Sequence, residues 1–190
     1  MRITEIEYTP NPNAVKFVLK EPITHVGSTR SFSDIEAAEG VPLAQHLLTV
    51  ENVLSVFFAD RYITVTQDGT ADWPDLLREL AKPIRSATID DAGPDVQTAF
   101  AQELPEGVEF GEGLDDPRIP MIREVLDEQI MPFLAADGGG LEILGLVNDR
   151  LLIRYQGACG TCPSSLTGTL MAIENIVQME VDPELEVLTV

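Results

Sequence analysis

The amino-acid sequence predicts an α+β protein built from two small domains. Short runs that alternate apolar and polar residues are interspersed with segments of helical period, which is the pattern of sheets mixed with helices. A stretch that combines Gly, Pro and unpaired acidic residues divides these elements into two groups. The chain has 190 residues, of which 44% are hydrophobic, and this is enough to bury a core in each group.

Residues 1–90 predict the element order β-β-α-β-β-α. A turn rich in Pro and Asn separates the first two strands, and the last helix begins at an Asp-Trp-Pro sequence. Pro83 is expected to kink or end that helix, because proline lacks the N–H that a helix interior needs. The predicted elements are strands Ile3–Tyr8 and Ala14–Leu19, a helix from Pro42, strands Val53–Ala59 and Tyr62–Gln67, and a helix from Trp73.

Residues 91–116 predict an acidic flexible linker. They carry no basic and 8 acidic side chains, against 8 and 13 in residues 1–90 and 4 and 11 in residues 117–190. The few apolar residues of the segment keep no helical or strand period, so a solvated conformation is expected.

Residues 117–190 predict a second domain of order α-β-β-α-β. The glycine-rich turn that begins at Asp137 ends the first helix, since glycine adopts the left-handed cap conformation cheaply. The predicted elements are a helix Pro120–Ala136 kinked by Pro132, strands Leu141–Val147 and Leu151–Gln156 joined by a hairpin loop, a helix Ser164–Met179 and a strand Leu185–Val190.

The charge of the chain argues against nucleic-acid and membrane partners. Lys plus Arg total 12 against 32 for Asp plus Glu, which gives a formal net charge of −20. Such a surface repels a phosphate backbone and an anionic lipid surface alike. No apolar run approaches the roughly 20 residues of a spanning helix, and no signal or transit peptide is visible, so we expect a cytoplasmic protein.

The two cysteines of the chain lie in one tetrapeptide and predict a metal site. Their spacing places Cys159 and Cys162 on one side of a single turn, as adjacent ligands of one metal centre. Gly157 and Gly160 leave room for backbone N–H groups to approach a sulfur-rich ligand. Ser164 is expected to cap the following helix, whose positive end favours thiolate over thiol.

Two thiolates supply half of a common soft-metal site. Structural zinc and iron-sulfur clusters usually take four protein ligands. His25 and His46, the other candidates, belong to the first domain and show no ligand spacing. A second copy of the same loop is the simplest source of the missing ligands, so the pattern predicts a metal-bridged homodimer that gives up its metal easily.

Two other functions stay open at this point. A thiol-disulfide oxidoreductase would use Cys159 as the attacking thiolate and Cys162 as the resolving thiol. We rank it second because the cysteine pair of a thioredoxin-like site lies in a βαβ unit, whereas a predicted hairpin precedes this pair. A structural module would bind one zinc between two chains. No other catalytic constellation occurs in the sequence, so we do not expect an enzyme.

The motifs of both halves resemble those of the NifU/Nfu iron-sulfur proteins. Residues 117–190 resemble the C-terminal domain of that family, through the Ala136-Asp137-Gly138-Gly139 motif and the loop from Gly157 to Ser165 with its Cys-x-x-Cys-Pro-Ser-Ser sequence. The Thr-Pro-Asn-Pro-Asn-Ala-Val-Lys-Phe run of residues 9–17 looks like the signature of the Nfu N-terminal domain. The chain departs from the family at Gly140, where an acidic residue is common.

The resemblance implies a scaffold or carrier for iron-sulfur clusters. A 4Fe-4S cluster would be held between two subunits through Cys159 and Cys162 and passed to apo-proteins. The N-terminal domain would recognise client proteins or cluster assembly proteins.

Overall fold

The computed structural model describes residues 1–25, 27–94, 111–162 and 168–190 and shows a mixed α+β protein. The fold class predicted from the sequence is therefore confirmed. The chain divides into two compact units, each with its own sheet and hydrophobic core. Within the described ranges, no helix is both long enough and apolar enough to cross a membrane.

The first unit is a five-stranded antiparallel sheet that packs one face against two helices. Its elements are β1 Ile3–Tyr8, β2 Ala14–Leu19, β3 Thr29–Phe32, α1 Pro42–Leu48, β4 Val53–Ala59, β5 Tyr62–Gln67 and α2 Trp73–Ser86. The strand order is β1-β2-β5-β4-β3. The four strands predicted from the sequence have the predicted bounds.

The strand β3 corrects the predicted order of the first unit, which contained only four strands. The strand is not apparent from its sequence, Thr-Arg-Ser-Phe, because a charged residue occupies a core position. Arg30 is 2% exposed and lies 5.8 Å and 5.6 Å from the ring centroids of Phe32 and Phe58. Its guanidinium donates a 2.8 Å hydrogen bond to the carbonyl of Pro94. A buried arginine that stacks on aromatic rings thus replaces the apolar residue that a pattern search looks for.

The helix α2 continues past Pro83 to Ser86, so of the two outcomes expected at this proline, a kink or the end of the helix, the second is wrong. Pro83 lies in the last turn, where its missing N–H leaves only one carbonyl without its helical partner. The other helical prolines stand where no N–H is needed, in the first two positions of a helix. These are Pro42, Pro74, Pro120 and Pro132.

The second unit is a three-stranded sheet with its helices packed on one core. Its elements are α3 Ile119–Gln129, α4 Met131–Ala136, β6 Gly139–Val147, β7 Arg150–Gly157, α5 Leu170–Glu180 and β8 Glu186–Thr189. The strand order is β6-β7-β8, with β6 antiparallel and β8 parallel to β7. The order is α-α-β-β-α-β instead of α-β-β-α-β, because the predicted kink at Pro132 is a complete break at Ile130.

The hairpin of β6 and β7 has a two-residue loop. Val147 pairs with Arg150, and both loop residues have positive φ, 48° at Asn148 and 64° at Asp149. This conformation matches the right-handed twist of the flanking strands, and Asn and Asp are among the few side chains that tolerate it.

Both ends of the predicted linker are ordered, which differs from the solvated segment expected for residues 91–116. Ala92 is buried in the first core at the end of a short 3₁₀ turn. At the other end, the N–H of Gly111 donates to Leu144 O at 2.9 Å, and Glu112 O accepts from the N–H of Leu146 at 2.9 Å. Backbone hydrogen bonds that composition does not reveal therefore attach these residues to β6. Residues 95–110 lie outside the described residues.

Arg118 joins three segments of the second unit. Its guanidinium contacts Asp116 at 3.0 Å, Asp149 of the hairpin loop at 2.8 Å and Asp182, which follows α5, at 2.8 Å. Hydrogen bonding to Arg118 is the main cause that lowers the pKa of Asp116. The pKa of Asp182 is lowered first by the N–H of Glu184 and then by Arg118. A single cation thus fixes the start of α3 against the hairpin and the α5–β8 connection.

We predict that Arg118→Gln lowers the thermal unfolding midpoint of the chain at neutral pH. Asp116 and Asp182 have folded pKa values below their unfolded values near 4, so the stabilisation they provide is present above about pH 4 and is lost as pH falls through the folded values. The difference between variant and wild type should therefore shrink below pH 4, as followed by circular dichroism.

Arg78→Gln is the matched control for this substitution. Arg78 pairs with Asp75 at 2.9 Å, but the two side chains are 74% and 75% exposed. Its removal should change the free energy of unfolding by less than about 0.5 kcal/mol. Equal losses in the two variants at neutral pH would contradict the role given to Arg118.

Candidate metal centre

Cys159 lies in a short 3₁₀ turn, Ala158–Thr161, that directly follows β7, and Cys162 is the residue after this turn. The N–H of Cys162 lies 3.4 Å from Cys159 O, so the two residues close one turn of backbone. Both side chains are thiols, and they are only 2% and 6% exposed. That both sulfurs lie on one side of this turn, as adjacent ligands of one metal, stays a prediction.

Two positive-φ glycines place this turn against the end of α4. Gly138 has φ 77° and ends the helix, and Gly157 has φ 60° and ends β7. The N–H of Ala158 then donates a 3.2 Å hydrogen bond to Gly138 O. The turn after Asp137 and the cysteine loop are therefore parts of one structure, linked through the first pair of the hairpin, Gly139 and Gly157.

Gly139 is the residue on which Cys159 packs. An ideal Cβ at Gly139 would overlap Cys159 Sγ, and it would lie 2.8 Å from Cys159 Cβ and 2.7 Å from Gln156 O. From the sequence, the glycines 138–140 are expected together to stop the helix, whereas only Gly138 has a positive φ. Gly139 is instead the first residue of β6. The sequence signal for this role is the additional glycine, because a helix cap requires only one.

A buried phenol lies behind the cysteines. Tyr155 is 7% exposed and belongs to the same hydrophobic core as Cys159. Burial, and to a lesser degree the charge of a Cys159 thiolate, raise the pKa of Tyr155 to about 12. The carbonyl of Tyr155 also limits the loop, because a Cβ at Gly160 would stand 3.3 Å from it. Gly160 thus lets the 3₁₀ turn fold back over the end of β7.

The opposite face of the hairpin carries a half-buried carboxyl group. Glu142 accepts a 3.2 Å hydrogen bond from Gln156 and lies 4.0 Å from Arg154, its partner across the strands. Burial raises the pKa of Glu142, and the positive charge of Arg154 opposes that rise. This charge pair lies on the face away from the cysteine loop, since residues alternate along a strand.

The structure describes only some of the predicted site residues. Gly157 precedes the 3₁₀ turn and Gly160 lies within it, beside Cys159, whereas Ser164 lies outside the described residues. The helix α5 begins at Leu170. Within residues 1–25, 27–94, 111–162 and 168–190, no three His, Cys, Asp or Glu side chains are grouped so that they could hold a metal ion. For this part of the chain, the cysteine pair supplies at most half of a four-ligand site.

The setting of the cysteines corrects one reason for ranking dithiol chemistry second. The strands β7 and β8 are parallel and adjacent, with α5 between them in the chain. The cysteine loop therefore lies inside a βαβ crossover, the setting that the sequence seemed to lack. The sequence predicts the hairpin before the loop correctly. The strand with which the C-terminal strand pairs, however, cannot be deduced from the residues of the C-terminal strand alone.

The fold and the thiol pair together define a two-unit α+β protein whose second unit carries a Cys-x-x-Cys pair. Residues 3–90 match the family model described as "Scaffold protein Nfu/NifU N terminal", and residues 122–188 match the "NifU-like domain". The human mitochondrial protein named NFU1 iron-sulfur cluster scaffold homolog is 37% identical over 179 residues, 94% of this chain and 67% of that protein. The chain belongs to the Nfu family of iron-sulfur cluster scaffold proteins.

Two further comparisons cover a smaller share either of the other protein or of this chain. The NFU1 homolog of Drosophila ananassae is 34% identical over 179 residues, and the chain spans 60% of its length. Among solved structures, a crystal structure of a Staphylococcus aureus protein superposes with a TM-score of 0.41 at 25% identity, over 44% of this chain and 99% of that one.

The expectation of a cytoplasmic protein is contradicted by these relatives, whose names assign them to mitochondria. The expectation rested on the first residues of the chain. Because the chain spans only 60–67% of these relatives, its first residues carry no information about targeting.

We predict that Gly139→Ala disrupts the cysteine loop. The new methyl group overlaps Cys159, so the loop must shift, and we expect the free energy of unfolding to fall by about 1–3 kcal/mol. Thermal unfolding and the rate at which a thiol reagent modifies the cysteines measure the two effects, and the modification rate should rise.

Gly168→Ala is the control, because an ideal Cβ at Gly168 meets nothing within 4 Å. It should leave both measurements close to wild type. If Gly139→Ala behaved like this control, the close packing of Cys159 on Gly139 would be refuted.

Proposed function

We propose that the chain is an iron-sulfur cluster scaffold and carrier that holds a 4Fe-4S cluster on Cys159 and Cys162 of two copies and passes it to apo-proteins. The observation that carries this proposal is the pair of thiols on one turn, in a chain of the Nfu family, with no third metal-capable side chain grouped with them in the described residues.

The number of ligands supports sharing between two copies. A common 4Fe-4S cluster takes four thiolates, and each copy offers two from one loop. A two-fold axis that places the loops face to face completes the set without any other residue.

Sharing also supports a role in delivery. Each chain holds half of the ligands, so separation of the two chains leaves the cluster incompletely bound and ready to move to an acceptor with a full set. The function is therefore binding and transfer without turnover, and the chain is not an enzyme in this proposal. Its partners are client apo-proteins that need a cluster and the assembly proteins that supply one.

The first unit is assigned to recognition of those partners. It matches the Nfu N-terminal model over residues 3–90, and it contains neither cysteine. Its two histidines, His25 and His46, are outside the cysteine unit and take no part in the proposed site.

We predict that the chain, reconstituted without oxygen with iron and sulfide, binds about two iron and two sulfide per chain, as one four-iron cluster shared by two copies gives. The protein should be brown, and Cys159→Ser and Cys162→Ser should each remove the colour. After about thirty minutes of incubation with an apo-acceptor, the cluster should be found on that acceptor. Separation of the two proteins followed by iron analysis measures this transfer.

Thr161→Ser is the matched control, since it changes an exposed residue between the two cysteines and leaves both thiols in place. It should bind iron and sulfide as wild type does. Zinc as the only metal bound after reconstitution would contradict the proposal and favour a structural zinc bridge.

Dithiol chemistry is the second candidate, and the βαβ crossover around the cysteines favours it. In that reaction the Cys159 thiolate attacks a substrate disulfide, one substrate thiolate leaves, and Cys162 then displaces the second while the chain forms its own disulfide. The burial of Cys159 opposes such an attack, because a reactive cysteine is partly exposed. Reduction of a disulfide substrate by a protein that binds no metal would establish this candidate.

A further inference from the structure

The hydroxyl group of Tyr155 is a buried polar group that the fold does not use. The side chain is 7% exposed, and its Oη is buried without a hydrogen-bond partner among the residues that the structure describes. A buried hydroxyl without a partner is costly and rare in native proteins. Phenylalanine would fill the same space without that cost, so the hydroxyl calls for a function.

The register of the hairpin places this side chain beside the cysteine site. Gly139 pairs with Gly157 and Leu141 pairs with Tyr155, so the two pairs are successive on one face of the sheet. Diagonal neighbours in such a pairing are separated by about 7–8 Å, which is within reach of an aromatic side chain. Since Cys159 packs on Gly139, its sulfur lies above the diagonal neighbour of Tyr155.

Towards a charged sulfur, the phenol of Tyr155 can act only as a hydrogen-bond donor. A phenol keeps its proton at neutral pH and donates, whereas a thiolate or a sulfide of a bound cluster accepts. A hydrogen bond to a charged sulfur is stronger than one to a neutral thiol.

We propose that the Tyr155 hydroxyl donates a hydrogen bond to anionic sulfur at the Cys159 position and thereby slows the loss of the bound cluster. This inference rests on the proposed function, because the cluster is the cargo of the site. Tyr155 is a positioning and tuning residue, which acts on the ligand sulfur and not on the iron. Hydrogen bonds to the sulfurs are a general means by which a protein sets the properties of an iron-sulfur cluster.

A single substitution gives opposite effects in the empty and the loaded protein. Tyr155→Phe removes an unpartnered polar group from the empty protein, so the unfolding midpoint of the metal-free chain should stay equal or rise. In the loaded protein it removes a hydrogen bond to a charged group, so transfer of iron to a chelator should become about tenfold faster. A residue that only packs in the core would shift both measurements towards lower stability.

The experiment compares wild type, Tyr155→Phe and the control Tyr8→Phe in the full chain. Tyr8 is 69% exposed and lies in the first unit, so its hydroxyl should affect neither measurement. The resonance Raman Fe–S stretching bands of the loaded proteins provide a third readout. They should shift for Tyr155→Phe and stay unchanged for Tyr8→Phe, because a hydrogen bond to sulfur weakens the Fe–S bond.

An unfolding midpoint that falls in the metal-free Tyr155→Phe protein would overturn the proposal, as would unchanged iron release and unchanged Raman bands. Failure of the proposed function is recognised separately, by a wild-type chain that binds no iron and sulfide. In that case Cd²⁺ serves as the thiolate-binding probe, and Tyr155→Phe should still release Cd²⁺ about tenfold faster than wild type. Equal release rates for Cd²⁺ would overturn the inference about Tyr155.

Discussion

The close packing of Cys159 on the bare backbone of Gly139 is the contact that organises the cysteine site. It exists only because residue 139 has no side chain, and a Cβ there would meet the cysteine and the carbonyl of Gln156. The same residue begins β6 and pairs with Gly157. The end of α4, the start of the hairpin and the cysteine turn consequently occupy one compact structure, to which the N–H of Ala158 adds a hydrogen bond.

This arrangement shelters both thiols. They are buried, which protects them from oxidation by solvent species. The cysteine turn is attached by the strand register and by the hydrogen bond to Gly138 O. Arg118 and its three carboxylates separately join the start of α3, the hairpin loop and the α5–β8 connection.

Much of the fold could be predicted, because its strands are short, half-buried and joined by turns with specific residues. The hairpin at Asn148 and Asp149 follows from residues that tolerate positive φ. Three features escaped prediction for physical reasons. The strand β3 carries a buried arginine at a core position, and the role of Gly139 is a tertiary contact with a loop that follows later in the sequence. The parallel pairing of β8 with β7 depends on both strands at once. The cysteine motif and the family resemblance, by contrast, were visible in contiguous residues.

Native mass spectrometry under anaerobic conditions tests whether two copies of this chain share one cluster. We expect a loaded species with the mass of two chains, four irons and four sulfides, which falls to single chains without iron when the cluster is removed. A preparation of Cys159→Ser should show no such species. A single chain that carries a complete cluster, or a dimer that persists without metal and binds no iron, would refute the sharing of one cluster between two copies.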